Sequence, residues 1–261
     1  MINSVLKAIK ILEVFEPNQP RISLTEISRR LDLPKSTTHN LLNTLLSVGY
    51  IEKVSHDQYS LGTAIVALTQ SVRINVELRD RAAPLLRQLA DQCHESVYLT
   101  NMDIDQVLYI YAVESPQRLL ARSAVGERAH LHCTAVGKAI LAYLPQDSLV
   151  EIVERQGLPR FTEYTICDFD GLVHELAQTR ERGYSIDNQE HERNTYCIGA
   201  PIFNADGQTI ASCSISGIDP QIIGDRMSQL SQMVTQVSLA ISQRMGFVPA
   251  TLNTVPHLKQ P

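Results

Sequence analysis

Two clusters in this 261-residue chain place chemically useful side chains at helical spacing. The first is Leu33-Pro34-Lys35-Ser36-Thr37-Thr38-His39-Asn40. Its hydroxyls, cation, imidazole and carboxamide fall within two helical turns, and Leu41, Leu42, Leu45 and Leu46 follow as an apolar anchor. Small hydroxyls and helix-start amides bind phosphate oxygens, while carboxamide and imidazole groups reach base edges. A Ser/Thr cluster also caps helices of any function, so its neighbours must decide between the two readings. The second cluster is Thr134-Ala135-Val136-Gly137-Lys138-Ala139, followed at a distance by Asp187, Cys197, Ser214 and Ser216. By residue type alone this set reads more simply as core: a buried cysteine is usually inert, and Gly137 would allow a helix to pack closely.

The surrounding elements favour DNA reading for the first cluster. Val5, Ala8, Ile9, Leu12 and Phe15 are spaced as one face of a helix over 5–15, which Pro17 and Pro20 end. Ser23-Leu24-Thr25-Glu26 is a capping-box sequence, in which the Ser23 hydroxyl accepts from the Glu26 amide and the Glu26 carboxylate reaches back. It opens a short helix through Arg30. Pro34 then stands as the first residue of a third helix, closed by Gly49. Residues 50–54 and 58–61 read as strands around the turn Ser55-His56-Asp57. Three helices and a hairpin within 1–62 make a winged helix-turn-helix, with the helix-turn-helix at about 24–43.

Further on, apolar helical spacing predicts a linker helix over 63–77, and 78–93 opens a second domain that runs to 247. Strands are expected at 97–100, 106–113, 119–123, 184–187, 197–203 and 208–216, and helices at 134–144, 146–155, 168–182 and 221–245. The fold class is α+β, with an antiparallel sheet covered by helices in the C-terminal domain. Residues 248–261, with three prolines and no periodicity, read as a disordered tail.

Composition bounds the function classes. Hydrophobic residues make up 44% and charged residues 20%, the balance of a globular protein. No apolar run reaches the ~18 residues of a membrane span. Five cysteines, an odd count without a CxxC pair, fit reduced thiols in the cytoplasm. The formal charge of −5 is uneven: residues 1–60 hold seven basic against six acidic side chains, the remainder sixteen against twenty-two. That balance permits DNA binding without demanding it. His130, His132 and Cys133 match no strong zinc spacing, so no metal or other cofactor is expected. Nucleophile-elbow, P-loop, HExxH and GxGxxG motifs are absent from the sequence, which argues against an enzyme. Glu190 and Glu192 beside His191 read as a solvated loop.

Taken in order, several segments make the chain similar to the IclR family of bacterial regulators across residues 1 to about 247. They are Ser23-Leu24-Thr25-Glu26-Ile27, Leu33 to His39, Tyr59-Ser60-Leu61-Gly62, Leu131 to Ala139, Arg182-Gly183-Tyr184, Glu190-His191, Cys197 to Ile202 and Ser214-Ile215-Ser216-Gly217. The resemblance implies a ligand-responsive DNA-binding regulator, more often a repressor than an activator, of a catabolic operon. It would act as a homodimer or homotetramer on a palindromic operator in double-stranded DNA. Ser23, Thr25, Lys35, Ser36, Thr37, Thr38, His39 and Asn40, with Lys53 and His56 on the wing, are the expected DNA contacts. Asn40 departs from the arginine common in the family, so an operator sequence does not transfer. The same resemblance implies that the second cluster lines an effector pocket. There the Ala135 and Val136 amides meet a carboxylate, Asp187, Cys197, Ser214 and Ser216 take other polar atoms, and Leu120, His130 and Thr195 edge the site. The alternatives are a C-terminal small-molecule enzyme and a pure dimerisation module.

Overall fold

The computed structural model describes residues 2–16, 19–55, 57–71, 73–115 and 125–249, and divides into Met1–Ile74 and Asn75–Pro261. The first unit contains α1 (Asn3–Glu13), β1 (Ile22–Ser23), α2 (Leu24–Arg30), α3 (Lys35–Ser47), β2 (Ile51–Lys53), β3 (Gln58–Leu61) and α4 (Ala64–Ser71). Ile11 and Val14, Ile27, Leu42 and Leu45, and Ile51 and Tyr59 form its core, which fixes three short helices on a small sheet. The Ser23 hydroxyl accepts from the Glu26 amide at 3.2 Å, as the capping box requires. The Glu26 carboxylate does not complete the box. It accepts instead from Arg29 (2.9 and 2.7 Å) and Arg30 (2.8 Å), charge-assisted bonds stronger than one to a neutral amide, and these hold its pKa at about 2.

Between α2 and α3 the Ser28 hydroxyl donates to the Leu33 carbonyl at 2.6 Å. Pro34, with φ −54° and ψ 140°, is the flanking cap residue and not the first helical one. Gly49 (φ +74°) ends α3 in a Schellman turn, with Gly49 N–H on Leu46 O and Tyr50 N–H on Leu45 O. The three strands order β1-β3-β2, all antiparallel. Two-residue β1 is too short to show any alternation in sequence.

In the second unit α5 (Arg73–Cys93) precedes β4 (Ser96–Asp103), β5 (Gln106–Val113) and β6 (Arg128–His130). Then come α6 (Ala135–Leu141), α7 (Gln146–Gln156), α8 (Phe169–Arg182), β7 (Ser185–Asn188), β8 (Tyr196–Phe203), β9 (Thr209–Gly217) and α9 (Met227–Arg244). The six strands make one antiparallel sheet in the order β6-β5-β4-β9-β8-β7. Alternation along each strand divides the core in two. Val97, Leu99, Ile198, Ala200, Ile202, Ala211, Cys213 and Ile215 face α5 and α9. Tyr98, Val107 and Tyr109 belong to the opposite core, with α6, α7 and α8. The strand expected at 119–123 and the tail from residue 250 lie outside the described residues. The expected helix 221–245 is split: a 3-10 turn at Pro220–Ile222, capped by Asp219, comes before α9. Among the described residues no helix is long and apolar enough to cross a membrane.

Candidate DNA-reading helix and buried effector cavity

α3 displays Lys35, Ser36, His39, Asn40, Asn43, Thr44 and Ser47 on its exposed side, opposite buried Leu42 and Leu45. No side chain caps its N-terminus, and the first backbone amide to close the ladder is that of Thr38, on Pro34 O at 2.9 Å. The amides of the first turn and the Ser36 hydroxyl therefore point outward, the arrangement an anionic backbone requires. Thr38 is a correction to the expected contacts. It is 0% exposed, and its hydroxyl donates back to Pro34 O at 3.1 Å, so it holds the helix start and cannot reach DNA. The 3.6-residue period explains this, since Thr38 sits one turn before Leu42 on the inward face. Thr37 is half-buried. Asn43, which lies 3.3 Å from the His39 ring, extends the exposed polar row one turn beyond the residues singled out in the sequence. Thr25 is exposed, while Ser23 is partly occupied as the α2 cap. Lys53 is exposed on the hairpin with its ammonium 5.9 Å from the centre of the Tyr59 ring. His56 lies outside the described residues.

The second site forms where α6 meets the sheet. Ser212, Ser214 and Ser216 alternate onto the α6 side of β9, opposite the apolar Ala211, Cys213 and Ile215. Register then aligns Asp187 with Cys197, and Cys197 with Ser216, across β7, β8 and β9. Small residues bring the helix down onto this surface. A Cβ on Gly199 would lie 2.7 Å from the Ala135 carbonyl, and the Ser185 hydroxyl donates to that carbonyl at 2.5 Å. Ser212 donates to Val136 O at 2.8 Å. Thr134 caps α6 by accepting from Gly137 N–H at 3.1 Å, and the backbone ladder begins with Lys138 N–H on Thr134 O at 2.9 Å. This places the Ala135 and Val136 amides at the uncommitted first turn, beside a cavity of about 40 Å³.

Ala135, Val136, Asp187, Thr195, Cys197, Ser214 and Ser216 line that cavity together, with Thr134. Tyr98 and Tyr109, not singled out in the sequence, also line it, as do His191 and Glu192, which the sequence reading placed in a solvated loop. The tyrosines are the β4 and β5 residues on the α6 side, in an edge-to-face pair at 5.6 Å, so strand alternation was the available signal for them. His191 and Glu192 come from the β7–β8 loop, which has no periodicity to read. His130 lies outside the lining, and its ring packs on His132 (5.7 Å) and Phe161 (5.2 Å). Leu120 lies outside the described residues.

The Glu190-His191-Glu192 loop is not the solvated segment expected. Glu192 is exposed, but Glu190 is buried and paired with Lys138, itself 1% exposed. Lys138 also reaches Glu175 at 3.4 Å, and Glu175 takes Arg182 at 2.6 Å. Thr162 and Thr165 pin the loop backbone through hydroxyls on Gln189 O and Glu190 O, each at 2.6 Å. Burial raises the pKa of Glu190, against the pull of the Lys138 charge. Asp187 accepts from the Glu190 amide at 2.7 Å. Burial, and then the Glu190 charge, push its pKa up to about 7. Cys133, 3.6 Å from the His191 ring, has its pKa driven far up by burial and by the charges of Asp187 and Glu190, which keeps the thiol protonated and unreactive. Among the described residues no group of three or more His, Cys, Asp or Glu side chains is placed to hold a metal ion.

Known proteins match both units. Residues 4–55 match the IclR helix-turn-helix domain and residues 70–243 the C-terminal domain of the bacterial transcriptional regulator IclR. The HTH-type transcriptional regulator XynR of Escherichia coli is 31% identical over 248 residues, covering 95% of this chain and 98% of that protein. The transcriptional repressor IclR of E. coli is 29% identical, over 94% and 90% of the two chains. The crystal structure of the Thermotoga maritima IclR superposes with a TM-score of 0.81 at 29% identity, covering 95% of this chain and 100% of that one. The two matched domains, in this order and over nearly the whole length, show that the chain belongs to the IclR family of bacterial transcriptional regulators.

Proposed function

We propose that this regulator represses a catabolic operon and is controlled by a small carboxylate bound in the α6 cavity. The observation that carries the proposal is the pairing of two uncommitted helix starts, one on the surface and one on a cavity. At α3 the exposed amides and the row Lys35, Ser36, His39, Asn40, Asn43 suit phosphate and base-edge contacts in a major groove. At α6 the Ala135 and Val136 amides and the positive end of the helix suit one carboxylate, and among the described residues no arginine lines the cavity to do that work. Repression is supported by the similarity to the E. coli transcriptional repressor IclR.

A homodimer on a palindromic operator is supported by the apolar residues that the first unit leaves exposed: Ile2, Val5, Leu6 and Ile9 on α1, and Val66 and Leu68 on α4. At helical spacing the α1 set forms a stripe, which a second copy would cover.

Thermal-shift screening of the full chain against metabolic carboxylates tests the proposal. A ligand at a hundred times its Kd stabilises the native state by about 2.7 kcal/mol. The expected result is a hit that shifts the wild type but not Ala135→Pro, a change that removes one amide at a helix position where proline is tolerated. An equal shift in both proteins would place the ligand elsewhere.

A further inference from the structure

We propose that effector binding takes up a proton at Asp187, which makes the regulator's response to its effector depend on pH. The inference rests on the carboxylate reading of the α6 cavity. Asp187 and the Ala135 and Val136 amides line the same cavity of about 40 Å³. A carboxylate seated on those amides therefore shares the cavity with the Asp187 carboxyl, which is itself almost fully buried. Two carboxylates sharing such a space share a proton.

Among the described residues, the cations nearest Asp187 are already engaged by other carboxylates. On α6, Lys138 is already engaged with Glu190 and Glu175. On α8, Arg182 is engaged with Glu175 and with the Tyr184 carbonyl. With two cations against Glu175, Glu190 and Asp187, the buried cluster carries one excess negative charge when all are ionised. The Asp187 loop adds a buried Glu190 oxygen (Oε2) with no hydrogen-bond partner among the described residues, together with His191 and Glu192. His130 and His132 precede α6, and burial lowers the pKa of both, as it does for His191, which favours the uncharged ring. The thiols of Cys133 and Cys197 and the phenols of Tyr98 and Tyr109 complete the surroundings and bring no positive charge. Burial and the Glu190 charge push the Asp187 pKa up to about 7, and an added anion moves it further upward.

The linkage sign follows from that upward move. Affinity is greatest below the free midpoint, falls as pH rises through it, and levels off above the bound midpoint. Glycolate, ionised throughout this range, serves as the probe in an NMR titration of the full chain, read at the Ala135 and Val136 amides at pH 6.0 and 8.5. With a free midpoint near 7 and a bound midpoint one to two units higher, affinity drops roughly 5- to 20-fold between those pH values. Asp187→Asn keeps the acceptor for the Glu190 amide and abolishes the pH dependence. Glu190→Gln, which removes the neighbouring negative charge, moves the dependence to lower pH. Equal wild-type affinity at both pH values overturns the inference while leaving the carboxylate site intact. Retention of the full pH slope in Asp187→Asn overturns it as well, by assigning the proton to another group. If glycolate at saturating concentration leaves the two amides unmoved, the carboxylate reading fails and the inference falls with it.

Discussion

Replacing Lys138 by methionine tests whether the ion pair behind the cavity is structurally required. The lysine is 1% exposed and Glu190 is 6% exposed, so Lys138→Met removes the ammonium bound to an almost fully buried carboxylate. Glu175 retains Arg182 at 2.6 Å, so only Glu190 is stranded. An unpaired buried charge costs about 3–5 kcal/mol. Glu190 can escape part of that cost by binding a proton. From an unfolded-state pKa of 4.5, protonation at pH 7 costs about 3.4 kcal/mol, at 1.36 kcal/mol per unit, and this caps the loss. At pH 5.5 the same cap falls to about 1.4 kcal/mol. The sign is fixed, because a carboxyl with a raised folded-state pKa destabilises increasingly as pH rises. Urea unfolding of the full chain, followed by circular dichroism and tyrosine emission, should show a loss of about 3 kcal/mol at pH 7 that shrinks by half or more at pH 5.5. Adding Glu190→Gln to Lys138→Met should recover most of it. A loss below about 1 kcal/mol at pH 7, or one independent of pH, refutes the reasoning.

Thr38→Ala should cost about 1–2 kcal/mol in stability, from a lost buried hydrogen bond and a small void, whereas His39→Ala should leave stability unchanged. Equal effects on unfolding midpoints would contradict the assigned faces of α3. Gly199→Ala introduces a Cβ 2.7 Å from the Ala135 backbone and should cost about 1–3 kcal/mol. It should also weaken any ligand held by the Ala135 amide, and an unchanged affinity by calorimetry would show that the helix start and sheet are not registered through this contact.

The apolar spacing and punctuation of the sequence carried most of the fold. Pro34 and Gly49 bracket α3 within one residue of the expected ends, and alternation in 208–216 identified the strand that sorts three serines to one face and the core residues to the other. Residue type alone read the Thr134–Ala139 segment and the strand residues as core, and only the resemblance to the IclR family implied a pocket there. What stayed hidden depends on contacts between distant segments. Lys138 on a small-residue helix gives no local sign of burial, because its partners arrive from α8 and from a loop some fifty residues on. Glu190 looked solvated because a charged loop usually is. Thr38 was misplaced because composition, not helical phase, was used to assign the hydroxyl cluster.

The exposed face of α3 is the surface assigned to reading DNA. Selection of duplexes from a random-sequence pool by the purified full chain tests it directly, alongside a variant with Lys35, Ser36, His39 and Asn40 all changed to alanine. The wild type should enrich a sequence with inverted-repeat symmetry. The variant, equally folded by circular dichroism, should enrich none. Failure of the wild type to enrich any sequence, or enrichment of the same sequence by both proteins, would contradict the claim.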